Sequence, residues 1–180
     1  MQQLLRSKLG ECKFTNTSLC KSKSSYENIK DAEFFIFDPP NETNQPVRIV
    51  KSKVGEHQLK VSNPDEKEIC VVKIDKCLFP MEVSKCDCIL FSTENFYFVE
   101  IKDSKTSQRH TSRKRAVEQL GATLDNFNDH GIDLTTFVSK AVICFRSLSP
   151  YPIRTSFLTE KAVFQEKYNI SLEEGNKIEF

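Results

Sequence analysis

Asp87, Glu100 and Lys102, set in the stretch CDCILFSTENFYFVEIK from Cys86 to Lys102, are the residues whose types and spacing could do chemistry. Two carboxylates placed opposite each other repel, so a site that keeps both ionised holds a cation, and hard oxygen ligands favour magnesium or manganese. Metal ions on carboxylates lower the pKa of water and stabilise the charge on a phosphate during in-line displacement. A lysine alongside positions or deprotonates that water. This is the chemistry of phosphodiester hydrolysis. The plain alternative is that Lys102 neutralises Asp87 and Glu100 as a cross-strand ion pair on a wet face, and a bare Asp-x12-Glu-x-Lys pattern favours it. Glu100 and Lys102, however, continue the face that holds Phe96 and Phe98, which sets them at the edge of a core.

The elements that must position these residues are two β-prone runs, Cys88 to Phe91 and Phe96 to Ile101, flanking Ser92-Thr93-Glu94-Asn95. They read as a hairpin with its charges at the open end. Strand alternation puts Phe96, Phe98, Glu100 and Lys102 on one face and Tyr97, Val99 and Ile101 on the other. If Phe91 faces Phe96 across an even loop, Ile89 faces Phe98 and Asp87 faces Glu100, with Lys102 diagonal to Asp87. A three-residue loop would turn Asp87 to the opposite face and break the cluster.

Around this hairpin the chain reads as alternating strands and helices. Residues 1–30 predict a short helix at Leu4, Leu5 and Leu9 and then a mobile, lysine-bearing terminus. Glu33 to Phe37 and Val47 to Val50 predict a small hairpin, and Gln58 to Val61 with Glu68 to Ile74 a second strand pair about Asn63-Pro64-Asp65-Glu66. Both faces of the run from Ile69 to Ile74 are largely apolar, the pattern of a strand covered on two sides. His110 to Asp129 predicts a helix with a stripe at Val117, Leu120, Leu124 and Phe127, ended at Gly131. Arg115 and Gln119 share one side of it. Lys140 to Phe145 predicts a buried strand, so strand, helix and strand form a crossover unit. Thr159 to Tyr168 predicts a short helix, and Ile170 to Phe180 a closing hairpin turning at Gly175-Asn176.

The totals bound the class. A chain of 180 residues with 38% hydrophobic and 28% charged residues fits one soluble domain, 1–180, with its core at about 69–145. Net charge of +1 excludes a globally basic nucleic-acid binder, so any such surface is local. Seven scattered cysteines, several in apolar runs, read as reduced intracellular thiols, and the absence of a secretory or membrane-spanning run predicts a cytoplasmic protein without a membrane partner. His57, His110 and His130 lack the spacing of a metal site or triad, and Cys77, Cys86 and Cys88 form no C-x2-C pair. With five glycines there is no phosphate-cradling loop. Lys105, Arg109, Arg113, Lys114 and Arg115 form a basic run after the second strand of the hairpin, placed to contact phosphates. Positive charge at a helix start opposes the helix dipole, which is easier to understand if an anion visits.

The order strand with Asp87, strand with Glu100-Ile101-Lys102, helix with Gln119 and strand, from about Ile69 to Phe145, resembles the PD-(D/E)XK nuclease superfamily, including its small bacterial members. The resemblance implies an α/β, restriction-endonuclease-like mixed central β-sheet flanked by helices, here with an extra N-terminal β-hairpin. It implies that Asp87, Glu100 and the carbonyl of Ile101 bind Mg2+ or Mn2+, that Lys102 is the catalytic lysine, and that Gln119 lies near the nucleophilic water. Cys86 stands where the proline of the family name would be, and no upstream glutamate is placed to join the site. The implied activity is metal-dependent hydrolysis of DNA. The alternative is a non-catalytic nucleic-acid-binding or protein-interaction module on the same scaffold. A homo-oligomer or a partner subunit would compensate for the little room left for target recognition.

Overall fold

The computed structural model describes residues 1–12, 24–39, 45–53, 58–79, 82–103, 108–145 and 155–180. It contains α1 (Gln2–Leu9), β1 (Tyr26–Ile29), β2 (Glu33–Phe37), β3 (Arg48–Val50), β4 (Gln58–Ser62), β5 (Ile69–Lys73), β6 (Cys88–Phe91), β7 (Asn95–Lys102), α2 (Arg109–Asp129), β8 (Val138–Phe145), α3 (Thr155–Tyr168), β9 (Ser171–Glu174) and β10 (Lys177–Glu179). The class is mixed α/β. A six-stranded sheet has the order β1-β5-β6-β7-β8-β9, and a four-stranded sheet the order β10-β4-β2-β3. Both are mixed: β5, β6 and β7 pair antiparallel, β7, β8 and β9 pair parallel, and β10 lies parallel to β4.

Three layers result from which faces are apolar. Cys70, Val72, Ile89, Phe96, Phe98, Ala141 and Ile143 of the large sheet pack with Leu5 of α1, Leu120, Leu124 and Phe127 of α2, and Phe164 of α3. The opposite face, with Ile69, Val71, Leu90, Val99, Ile101 and Val142, packs with Phe34, Ile36, Leu59, Val61 and Ile178 of the small sheet. Each fully buried side chain of this size contributes about 1.5–3 kcal/mol. All five residues of β5 are buried, the two-sided cover its sequence predicts. The crossover unit is present, with α2 joining β7 to its parallel neighbour β8. Three of the four stripe residues of α2 are buried and Val117 is half-buried. The chain leaves that helix through Gly131 at φ 63, a left-handed conformation that glycine adopts without a Cβ penalty.

Three sequence expectations are corrected. Gln58 to Val61 and Glu68 to Ile74 do not pair with each other: β4 joins β2 and β10, while β5 joins β1 and β6. The buried Asn63 explains the crossing, since its Nδ2 donates to the Asp31 and Lys67 carbonyls (3.3 and 2.9 Å) and its Oδ1 accepts from the Lys67 N–H (3.0 Å). That side chain satisfies the backbone where the chain passes from one sheet to the other. Ile170 to Phe180 likewise forms no hairpin. Leu172 is buried on the helix side of the large sheet, whereas Ile178 and Phe180 are buried between the sheets, so β9 and β10 extend different sheets. Within 1–30, the expected helix is α1, but Tyr26–Ile29 is an edge strand on β5 and not part of a loose terminus; the rest of that expectation, at 13–23, lies outside the described residues. The β2–β3 hairpin does form, with Phe35 opposite Val50 and Phe37 opposite Arg48. Among the described residues, no helix is long and apolar enough to cross a membrane.

Candidate active site

The register of β6 and β7 decides whether the charged residues meet. Phe91 faces Phe96, Ile89 faces Phe98 and Cys88 faces Val99, the even register that the Ser92-to-Asn95 reading requires. The Ser92 N–H donates to the Asn95 carbonyl at 3.0 Å, its Oγ accepts the Asn95 N–H at 3.2 Å, and the Phe91 and Phe96 rings stack with centroids 5.3 Å apart. The turn and the aromatic pair thus pin the same alignment.

Asp87 lies just before β6 and its N–H donates to the Val99 carbonyl at 3.1 Å. Its carboxylate turns along the neighbouring strand, and Oδ2 accepts the Ile101 N–H at 2.6 Å. Glu100 is 1% exposed, in line with Phe98 on the helix side of the sheet. Lys102 pairs with Glu100 Oε1 and also donates from Nζ to Gln119 Oε1 at 2.5 Å. The second glutamate oxygen, Oε2, is buried and has no hydrogen-bond partner among the described residues. Gln119 is held in turn, its Nε2 donating to the Lys85 carbonyl at 2.9 Å. The sequence-predicted residues Asp87, Glu100, Ile101, Lys102 and Gln119 are therefore contiguous.

Burial raises Asp87 well above the usual carboxylate range, and the charge of Glu100 raises it further. Burial also pushes Glu100 up, to about 7, against the opposing pull of Lys102. Lys102 is raised: burial alone would lower it, but Glu100, Asp87 and Asp38 outweigh that loss of hydration. Two carboxyl groups reluctant to ionise, one carrying an oxygen that no donor among the described residues meets, form a donor set that a hard divalent cation fits. Among the described residues no three His, Cys, Asp or Glu side chains gather as a metal-holding group. Magnesium needs no such cage, since it is held by one or two carboxylates and keeps several waters.

Sequence reasoning missed Asp38, Asp75, Lys85 and Thr123. Asp38 follows β2 in the small sheet, and its charge raises both Asp87 and Glu100. Asp75 also raises Glu100; its N–H donates to the Asp87 carbonyl at 3.2 Å and its Oδ1 pairs with the buried Lys85 at 3.2 Å. Only Thr123 carried a usable signal, four residues after Gln119 and so on the same side of the helix.

The basic run divides. Arg109 and Arg113 are both engaged by Glu174 of β9, Arg113 Nε at 2.9 Å from Oε2, and their guanidinium carbons lie 4.4 and 4.7 Å from the centroids of the Phe145 and Phe157 rings. Lys114 and Arg115 are exposed, and Lys105 lies outside the described residues. Comparisons of the chain with protein-family models, curated proteins and solved structures find no match.

Proposed function

We propose that this chain is a divalent-metal-dependent nuclease that hydrolyses DNA phosphodiesters with a site of PD-(D/E)XK type. The observation that carries the reading is the buried Glu100 Oε2, without a hydrogen-bond partner among the described residues, on the carboxylate whose Oε1 pairs with the Lys102 ammonium. An unmet buried acceptor costs about 1–3 kcal/mol, a cost that a bound cation would offset. The antiparallel β5–β6–β7 unit, followed by α2 and the parallel strand β8, supports the finer reading of the large sheet as restriction-endonuclease-like.

Asp87, Glu100 and the Ile101 carbonyl would hold Mg2+ or Mn2+, which supplies an activated water and neutralises charge on the phosphate. Asp87 also fixes β7 through the Ile101 N–H, so the metal-binding group and the backbone it leans on move together. Lys102, with its pKa raised, stays protonated at neutral pH and acts as a cation that orients water and phosphate oxygens. Gln119 restrains the Lys102 side chain through its Oε1. Lys114 and Arg115, with Lys105, supply phosphate contacts; Arg109 and Arg113 join them where a phosphate displaces Glu174. The burial of the described cysteines supports a cytoplasmic chain. An oligomer or a partner subunit would add target recognition.

The test is cleavage of a plasmid and of a labelled DNA duplex with Mg2+, with Mn2+ and with EDTA. Wild-type protein should cut only with metal. Glu100→Ala and Lys102→Ala should each lose at least about 100-fold in rate. Cutting that survives both substitutions rejects the site. The Lys102–Glu100 ion pair also suits a non-catalytic module on the same scaffold. That reading requires Mn2+ titrations indistinguishable between wild type and Asp87→Asn.

A further inference from the structure

Asp87 lies outside the regular ladder. Cys88 is buried between the two sheets, as its place in β6 requires, yet Cys86 is buried on the helix side with Ile89. Simple alternation would put Cys86 with Cys88, so the backbone leaves strand geometry at the residue that carries the first carboxylate. The sheet holds this corner through the bonds of Asp87 to Val99 and Ile101, and elements outside it hold the residues on either side.

Helix α2 does so at two points. Thr123, 1% exposed, accepts the Cys86 N–H on its Oγ1 at 2.8 Å and donates from the same atom to the Gln119 carbonyl at 2.9 Å. One helical turn earlier, the Gln119 side chain donates to the Lys85 carbonyl and accepts from Lys102. Lys85 and Cys86 are thereby fastened to the helix that also restrains the lysine. The Asp87 carbonyl is fastened from the other side by the N–H groups of Ile74 and Asp75, at 3.0 and 3.2 Å.

From this geometry we infer that Thr123 is a positioning residue: with Gln119 it clamps Lys85-Cys86 to α2 and thereby sets where the Asp87 carboxylate stands relative to Glu100 and Lys102. Its importance for catalysis rests on the nuclease reading, but the clamp is a property of the metal-free protein. Groups that orient metal ligands alter metal affinity by about 10–100-fold when removed. The Thr123 hydroxyl is the only part of that side chain the clamp uses, so serine should serve and valine should not.

The experiment is amide hydrogen exchange on wild type, Thr123→Val and Thr123→Ser without metal, followed by Mn2+ titration of the same samples. In Thr123→Val, the Cys86 and Ile101 amides should exchange at least about tenfold faster while Phe98 and Val61 keep wild-type rates, and Mn2+ affinity should fall at least about tenfold. Thr123→Ser should restore both. Unchanged Ile101 exchange in Thr123→Val overturns the clamp, as does uniform acceleration of all four amides. If the valine variant does not fold, Thr123→Ala is read in the same way. Failure of the nuclease reading looks different: wild type and Asp87→Asn then give the same Mn2+ titration, while the exchange result still decides the clamp.

Discussion

The Oδ2 atom of Asp87 accepts the Ile101 N–H at 2.6 Å, so a carboxylate proposed to bind metal also replaces a missing rung between two strands. The two duties separate by substitution. Asp87→Asn keeps an oxygen for the Ile101 N–H, whereas Asp87→Ala leaves that buried donor unmet. Denaturant unfolding should show Asp87→Ala less stable than Asp87→Asn by about 1–3 kcal/mol, with both equally inactive.

Glu100 sets a pH dependence with a definite sign. Its carboxyl is raised by burial from the ordinary 4.5 to about 7, so between those values the folded chain holds a proton that the unfolded chain has released. Stability from this group is therefore fully present at low pH and is lost as pH rises through about 7, by on the order of 3 kcal/mol at most. Asp87, also raised by burial, acts in the same direction. Metal-free melting temperature should fall between pH 5.5 and 8, Glu100→Gln should flatten that slope, and Mn2+ should restore stability most strongly at pH 8. Apparent Mn2+ affinity should rise about tenfold per pH unit below 7 if one proton leaves on binding.

The basic residues should separate by burial. Lys114→Ala and Arg115→Ala should alter stability by less than about 0.5 kcal/mol and each reduce the salt slope of DNA binding by about 1. Arg113, buried and engaged by Glu174, should cost at least about 2 kcal/mol as alanine. Salt-dependent binding isotherms and melting curves on the same variants read both effects.

Gly121 is a test of helix packing behind the site. A Cβ there would lie 2.7 Å from the Tyr168 Oη of α3, with the next ring atom at 3.4 Å. Gly121→Ala should therefore destabilise the wild-type background despite the better helix propensity of alanine. In Tyr168→Phe the tight atom is gone, and the same substitution should stabilise by up to about 1 kcal/mol.

The charged cluster was legible in the sequence because its logic is local. A period of two, an even turn and a matched aromatic pair align Asp87 with Glu100 without any distant information, whereas Gln119 was singled out only through the resemblance to the nuclease superfamily. The assignment of strands to sheets was not legible. Lys60 of β4 pairs with Lys177 of β10, and nothing in either short run encodes a partner so distant along the chain. For the same reason the Gly175-Asn176 turn signal misled: the Asn176 amide donates to the Phe145 carbonyl at 2.5 Å and its own carbonyl accepts the Lys60 N–H at 2.8 Å, so the turn serves two other strands. Asp38 escaped notice because its closeness to the site depends on how the small sheet packs against the large one.

Residues 171–180 close an edge of each sheet, β9 on β8 and β10 on β4. During synthesis every residue of the proposed site leaves the ribosome well before these two edge strands do. Until then β8 and β4 each present a bare row of amides and carbonyls, the situation that invites pairing with another chain. Both sheets are therefore completed only after the residues of the proposed site have been made, and the period of greatest aggregation risk is the interval between emergence of β8 and docking of β9.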